Sequence, residues 1–184
     1  MTDWTTHQYI DELWTAIGIA QRKSAHPLRT PTVITTQHGN PRARTMVLRE
    51  VFDNRYLVFF TDIRSDKCQQ LQQHPNIQIH SYCSIDQTQL QFSGTACVLQ
   101  THPKFTEWLN RGMHCPTDYS TIESPGSPLN EYRPLQLNTT LAQQHFAVLL
   151  CDISSIEILT LGIPHRRCRW SYRDDSWRKD WLVP

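Results

Sequence analysis

The chain lacks the short motifs by which many enzymes announce their chemistry. No Walker loop, G-x-G-x-x-G turn, G-x-S-x-G elbow or H-E-x-x-H helix occurs in its 184 residues, so the common nucleotide, hydrolase and metalloprotease readings lose their usual support. Neither charge is in excess. Lys and Arg number 18 against 17 Asp and Glu, for a formal net charge of +1. No overall field therefore draws the protein towards nucleic acid or an anionic membrane, and any anion site must be local. Long apolar runs are missing too: Asp3, Asp11 and Glu12 interrupt the first twenty residues, unlike a signal peptide, and no stretch is long enough to span a bilayer. A cytoplasmic location is expected. The 6 cysteines, at 68, 83, 97, 115, 151 and 168, show no C-x-x-C and no regular spacing, which predicts reduced, buried thiols rather than a disulfide framework. No pair has zinc-ligand spacing, His165 with Cys168 coming nearest, and no metal is expected.

What is present is a succession of short strands. One domain covering residues 1–184 is expected at roughly 150 residues per domain. Within residues 1–24, Tyr9, Ile10, Leu13, Trp14, Ile17 and Ala20 recur at helical spacing behind a Thr5 or Thr6 cap, predicting an amphipathic helix. Thr32 to Thr36 and Arg44 to Phe52, separated by His38-Gly39-Asn40-Pro41, read as a hairpin. Asp53-Asn54-Arg55 then turns the chain into Tyr56 to Thr61, apolar enough for a strand buried on both faces. Ser65 is placed to cap a short helix ended by Pro75, its hydroxyl accepting from first-turn amides. Ile77 to Cys83 and Gln89 to Leu99 are strands, the second alternating Leu90, Phe92, Ala96 and Val98 with Gln89, Gln91, Ser93 and Thr95, which predicts one wet face. Lys104 to Arg111 reads as helix and 115–134 as a long loop around Ser124-Pro125-Gly126-Ser127-Pro128. A short helix over Thr140 to His145, strands over Phe146 to Ile153 and Glu157 to Leu161, and two more in Arg166 to Trp181 complete the chain. The pattern predicts a mainly β protein, an antiparallel barrel or sandwich with peripheral helices.

Four sets of residues could carry chemistry. Ser65-Asp66-Lys67 opens a helix, where free amides and a mobile cation suit a phosphate; an ordinary cap with a solvated Lys is the plainer alternative. Arg44 and Arg49 offer planar forks for phosphate oxygens, but a spacing of five puts them on opposite faces of a regular strand, so one ligand meets both only at a bulge, a strand end or a subunit interface. Gln89 can both donate to and accept from a heterocycle edge. Arg166-Arg167-Cys168-Arg169-Trp170 mixes cations with an aromatic, yet Asp174, Asp175 and Asp180 offset the charge, and no nucleic-acid partner is expected.

In their order and gaps, Arg44-Thr-Met-Val-Leu-Arg49, Phe60-Thr61 with Ser65-Asp-Lys67, Gln89-Leu-Gln-Phe-Ser-Gly94 and the Arg169, Trp177 and Pro184 ending resemble the pyridoxamine 5'-phosphate oxidase-like flavoproteins, in their broad oxidase-related branch. The resemblance implies an FMN-binding split barrel, homodimeric, with FMN at the subunit interface, acting as a flavin-dependent oxidoreductase on a small substrate. By position, Arg44 and Lys67 would hold the FMN phosphate together with Ser65, Thr45, Val47, Leu48, Arg49, Phe60 and Thr61 would line the cofactor, Gln89 would address the flavin ring, and Arg169 would close the site. Arg49, Arg111, His165 and Arg167 are the implied substrate contacts, the last two on one strand face at a spacing of two. No side chain is assigned as an obligatory acid or base, because the flavin carries the chemistry. The chain departs from the B6 oxidases at Asp66, Glu107, Cys115 and Leu159. These departures keep a second reading open, a module of the same fold that binds flavin or haem without turnover.

Overall fold

The computed structural model describes residues 4–115 and 117–184. A 3-10 turn at Trp4–Thr6 precedes α1 (Ile10–Arg22), whose Leu13, Trp14, Ile17 and Ala20 are buried in the main core. The helix starts later than the Thr5 or Thr6 cap predicts: Tyr9 is the N-cap and supplies no side-chain bond. Two hairpins follow, β1 (Thr32–Gln37) with β2 (Asn40–Thr45) and β3 (Leu48–Phe52) with β4 (Tyr56–Asp62). Their tight turns hold His38 and Gly39, then Asp53 and Asn54, at positive φ, the left-handed geometry that matches the twist of paired strands.

The predicted single strand from Arg44 to Phe52 is in fact broken at Met46 and Val47. β2 pairs with β1 while β3 pairs with β4, at opposite ends of the antiparallel order β2-β1-β5-β6-β7-β4-β3. The break has a packing reason. Met46 and Leu48 are both buried in the core although two residues of β2 before them, Arg42 and Ala43, are exposed, so the chain must turn inward as it leaves one edge of the sheet for the other.

Helix α2 (Asp66–Gln73) leads to β5 (Asn76–Cys83) and β6 (Thr88–Leu99). After α3 (Phe105–Gly112), a long loop crosses residues 117–137, pinned by the bridge of Thr121 to Leu137. A 3-10 turn and α4 (Ala142–His145) then give way to β7 (Phe146–Thr160). The two strands predicted here are one strand of 15 residues. Its first half pairs with β4, its second half with β8 (Arg166–Arg173), and β6 runs along both; β9 (Ser176–Leu182) pairs with β8. This shared strand is where the sheet branches, β4 continuing it on one side and β8 and β9 leaving it on the same strand's second half.

Alternation sorts the side chains. Val33, Ile79, Phe92 and Ile156 lie opposite one another across β1, β5, β6 and β7 and are buried. Leu57 and Phe59 of β4 join that core, while Val58 and Phe60 face a second cluster with Trp108, Phe146 and Val148 under α3, so β4 is covered on both faces as its composition predicts. Gly112 allows the close approach: a Cβ there would lie 2.3 Å from the Phe146 ring. Cys68, Cys83, Cys151 and Cys168 are buried thiols; Cys97 and Cys115, expected buried, are exposed. Among the described residues no helix is long and apolar enough to cross a membrane.

Candidate functional site

The β1–β2 hairpin and the start of α2 face one another across a cleft of about 430 Å³ lined by Arg42, Arg44, Ser65, Asp66, Lys67 and Gln70, with Pro125 and Gly126 of the long loop at its rim. Arg44 lies opposite Val33 in the hairpin and so points to the core side of the sheet. Its Nη1 donates to the Val33 carbonyl and, at 2.6 Å, to Thr35 Oγ1, and its Nη2 donates to Gln70 Oε1 at 3.1 Å. Thr35 Oγ1 in turn donates to the same Gln70 oxygen. This closed triangle fixes the guanidinium and leaves its Nε proton and an Nη2 proton unengaged.

Lys67 donates to Thr61 Oγ1 at 2.9 Å and to Ser65 Oγ at 2.8 Å, two of its three donors. Ser65 sits at the N-cap as predicted, but its hydroxyl donates to the Asp62 carbonyl instead of accepting from the helix, so the first-turn amides of α2 have no side-chain cap. Burial pushes the Lys67 ammonium below its ordinary pKa, and the neighbouring Arg44 charge adds to the effect. Burial likewise lowers Arg44, with Arg42 contributing. Neither cation has a carboxylate within ion-pair distance among the described residues. Two desolvated positive charges and uncapped helix amides are a donor set for a phosphate group, and the residues present fit the phosphate end of FMN.

The remaining candidates lie elsewhere. Gln89, Gln91, Glu157, Arg167 and Arg169 share the outer, wet face of β6, β7 and β8, the face opposite to Val33 and Arg44. Arg167 Nε donates to Glu157 Oε1 at 2.9 Å and Arg169 Nη2 to Glu157 Oε2 at 2.7 Å. Burial pushes the Glu157 carboxyl up, but these hydrogen bonds outweigh it and hold it below the usual carboxylate range. Arg169, expected to close the cofactor site, is thus clamped on another surface of the same copy. His165 falls in the turn before β8, its Nδ1 accepting from the Gly162 amide at 3.0 Å, so the predicted shared strand face with Arg167 does not form. Leu48 is a core residue and Thr45 an exposed one, with Val47 between them. Arg49 sits at a bulge between Leu48 and Glu50, its guanidinium over the Phe60 ring. Arg111 shares that ring, yet it donates to Glu50 Oε2 and to the Arg49 carbonyl, both at 2.7 Å.

Residues that sequence reasoning passes over prove central. Thr35 and Gln70, both buried, aim Arg44, and Glu157 joins two arginines. Arg42 is legible at two residues before Arg44; the Glu157 clamp needs the register of β7 on β8.

Comparison with known proteins bears on the same segments. The family model described as pyridoxamine 5'-phosphate oxidase, FMN-binding domain, matches residues 6–100, the part of the chain that carries Arg44, Lys67 and Gln89. Pyridoxine/pyridoxamine 5'-phosphate oxidase of Aliivibrio fischeri is 32% identical over 85 residues, which are 46% of this chain and 39% of that protein; the match therefore spans well under half of the relative. A pyridoxamine 5'-phosphate oxidase-related, FMN-binding protein of Nostoc punctiforme superposes with a TM-score of 0.69 at 21% identity, covering 99% of this chain and 100% of the other. PhzG of Burkholderia lata, solved with tetrahydrophenazine-1-carboxylic acid, gives 0.70 at 18% identity over 95% and 91%. These two likenesses show the split-barrel fold. With the family model covering more than half of its length, the chain belongs to the pyridoxamine 5'-phosphate oxidase family of FMN-binding domains.

Proposed function

We propose that the protein is an FMN-dependent oxidoreductase acting on a small substrate, with two copies of the chain completing each site. The observation that carries this reading is the pair of half-buried, unpaired cations, Arg44 and Lys67, at the uncapped start of α2. Bound FMN supplies the redox chemistry by accepting a hydride from the substrate. The chain supplies position and charge: Arg44, Ser65 and Lys67 grip the phosphate, Thr61 orients the Lys67 ammonium, and Thr45 to Arg49 with Phe60 run along the cofactor. Gln89 and Arg169 are held on the opposite sheet face of the same copy, and a second copy presenting that face brings them to the flavin; this gives the dimer its function. Arg49, Arg111 and Arg167 are the substrate contacts, with His165 beside them.

The test is the visible spectrum of the purified protein, followed by anaerobic mixing with amine, nicotinamide and deazaflavin donors. Flavin bands that bleach with one donor support the oxidoreductase. Flavin that stays oxidised with all of them supports the second reading, a binding module without turnover, which the neutralisation of Arg167 and Arg169 by Glu157 favours. A Soret band in place of flavin bands refutes the cofactor assignment.

A further inference from the structure

Cysteine and histidine spacing predicts no metal, yet the fold gathers three metal-ligand types that the sequence keeps apart. Among the described residues, the side-chain donor atoms of His26, Cys83 and Asp86 all lie within 4.8 Å of one another. None of the three lines the α2 cleft or the hollow on the outer face of β7 and β8. Cys83 ends β5, and the alternation that buries Ile77, Ile79 and Ser81 turns its thiol to the same side. Asp86 stands in the turn that follows, where Gln87 takes a positive φ of 49°. That turn is pinned twice: Thr88 Oγ1 donates to the Asp86 carbonyl at 3.0 Å, and the Leu161 amide donates to the Gln87 carbonyl at 2.9 Å. His26 is the N-cap of the 3-10 turn Pro27–Arg29 after α1, its Nδ1 accepting from the Leu28 amide at 3.1 Å. Trp4 closes one side. Its Nε1 donates to Asp86 Oδ2 at 3.4 Å, and its ring centroid lies 6.0 Å from that of His26. Cys83 Sγ donates to the same carboxylate oxygen at 3.8 Å.

From this geometry we infer that His26, Cys83 and Asp86 form a binding site for one divalent transition-metal ion of the zinc class, with a fourth position left to water. Sulfur and imidazole donors select against magnesium and calcium, which take oxygen ligands. Bonds of about 2.0–2.3 Å at a tetrahedral angle put donor atoms about 3.5 Å apart, so side-chain movements of about 1 Å close the set. The Cys83 and Asp86 atoms, at 3.8 Å, already stand near that separation. On binding, the Cys83 S–H bond breaks, a sulfur–metal bond forms and the proton leaves to solvent. The ion thus replaces the proton that the thiol now directs at Asp86. Thiolate and carboxylate together balance a divalent charge, as a partly buried place requires. Coordination through either ring nitrogen ends the Leu28 bond, since the metal takes Nδ1 itself or, at Nε2, leaves the ring proton on Nδ1. One neutral hydrogen bond is exchanged for a metal–nitrogen bond, while the Trp4 bond orients the carboxylate from outside.

The experiment is anaerobic titration of the reduced, untagged full chain, first stripped of metal with a chelator, with Co²⁺, read as the difference spectrum against the metal-free protein. The expected result is a thiolate-to-cobalt charge-transfer band that saturates at one equivalent and is bleached by one equivalent of Zn²⁺. Cys83→Ser should remove the band. Asp86→Asn, which keeps an acceptor for Trp4, should weaken Zn²⁺ by at least about tenfold, the least that losing even an outer partner costs at such sites. His26→Asn offers the Leu28 amide an oxygen in place of Nδ1 while deleting the ring, and the same loss is expected. Zn²⁺ should raise the melting temperature of the parent by binding the folded chain, and should not raise that of His26→Asn. No band at one equivalent, a band that survives in Cys83→Ser, or Zn²⁺ affinity unchanged in His26→Asn overturns the proposal, leaving a thiol–carboxylate hydrogen bond beside a helix cap. If Cys83→Ser disturbs folding, His26→Asn alone decides.

Discussion

Two arginine-bearing regions of this chain differ in one respect that decides what each can hold. In the α2 cleft, Arg44 and Lys67 are half-buried and bonded only to neutral oxygens. On the outer face of β7 and β8, Arg167 and Arg169 share one carboxylate, Glu157. Arginine density is similar, but only the first of the two regions keeps desolvated cations that are in no ion pair, Asp66 lying nearby without bonding to either, and an unpaired buried charge is costly until a partner arrives. The absence of a pairing carboxylate, more than the presence of cations, marks the proposed phosphate cradle.

The comparison breaks most visibly if the unpaired charges are removed. Arg44→Ala/Lys67→Ala is expected to weaken FMN by about 10²- to 10⁴-fold, the loss of two charge-assisted contacts worth about 1.5–3 kcal/mol each, in a fluorescence-quenching titration. Riboflavin, which lacks the phosphate, should bind the variant and the parent alike within about threefold. Equal losses for both ligands would mean that the cleft does not address phosphate.

A subtler variant turns the first region into the second. Gln70→Glu is nearly isosteric and places a carboxylate against the Arg44 Nη2 now bonded to the amide oxygen. The guanidinium would then be paired as Arg167 is, and FMN affinity should fall by about 10- to 100-fold, near the net worth of one charge-assisted bond, while thermal stability holds or rises. Unchanged affinity would show that orientation by Gln70, and not open charge, is what matters there.

Much of this contrast is legible in the amino-acid sequence. Period-2 alternation from Gln89 to Leu99 predicts the wet face on which Gln89 and Gln91 lie, and the apolar run of Tyr56 to Thr61 predicts a strand covered on both sides. The candidate phosphate donors at Ser65 and Lys67 are visible because a helix start is a local feature, although the rotation of the Ser65 hydroxyl onto the Asp62 carbonyl is not. What periodicity misses is non-local. The break at Met46 and Val47 follows from which sheet edge each half can reach. The continuity of β7 through Ser154 and Ser155 depends on β8 arriving where β4 leaves off. Likewise, the clamping of Arg169 by Glu157 and of Arg111 by Glu50 rests on contacts between segments far apart in the chain or on strand register, which composition and periodicity do not carry.

The smallest effect sharpens the comparison from the paired side. Glu157 is 12% exposed at its side chain while Arg167 and Arg169 are 36% and 45% exposed, so solvent screens much of the attraction and the pair of bridges is worth about 1–2 kcal/mol, between surface and buried values. Glu157→Gln should cost that amount in urea unfolding at pH 7. The folded carboxyl is held below the usual range, so its contribution is complete above the unfolded value near 4.3 and is lost as pH falls through the folded one. The deficit of the variant should therefore be flat from pH 7 to about pH 5 and shrink at lower pH. A deficit undiminished in acid would trace to packing instead of charge. With Glu157 neutral, Arg167 and Arg169 acquire the unpaired state that distinguishes Arg44 and Lys67, and the outer face should begin to take up pyrophosphate that the parent protein does not bind there. If it does not, desolvation is the deciding property, since these two arginines would then be unpaired but still exposed.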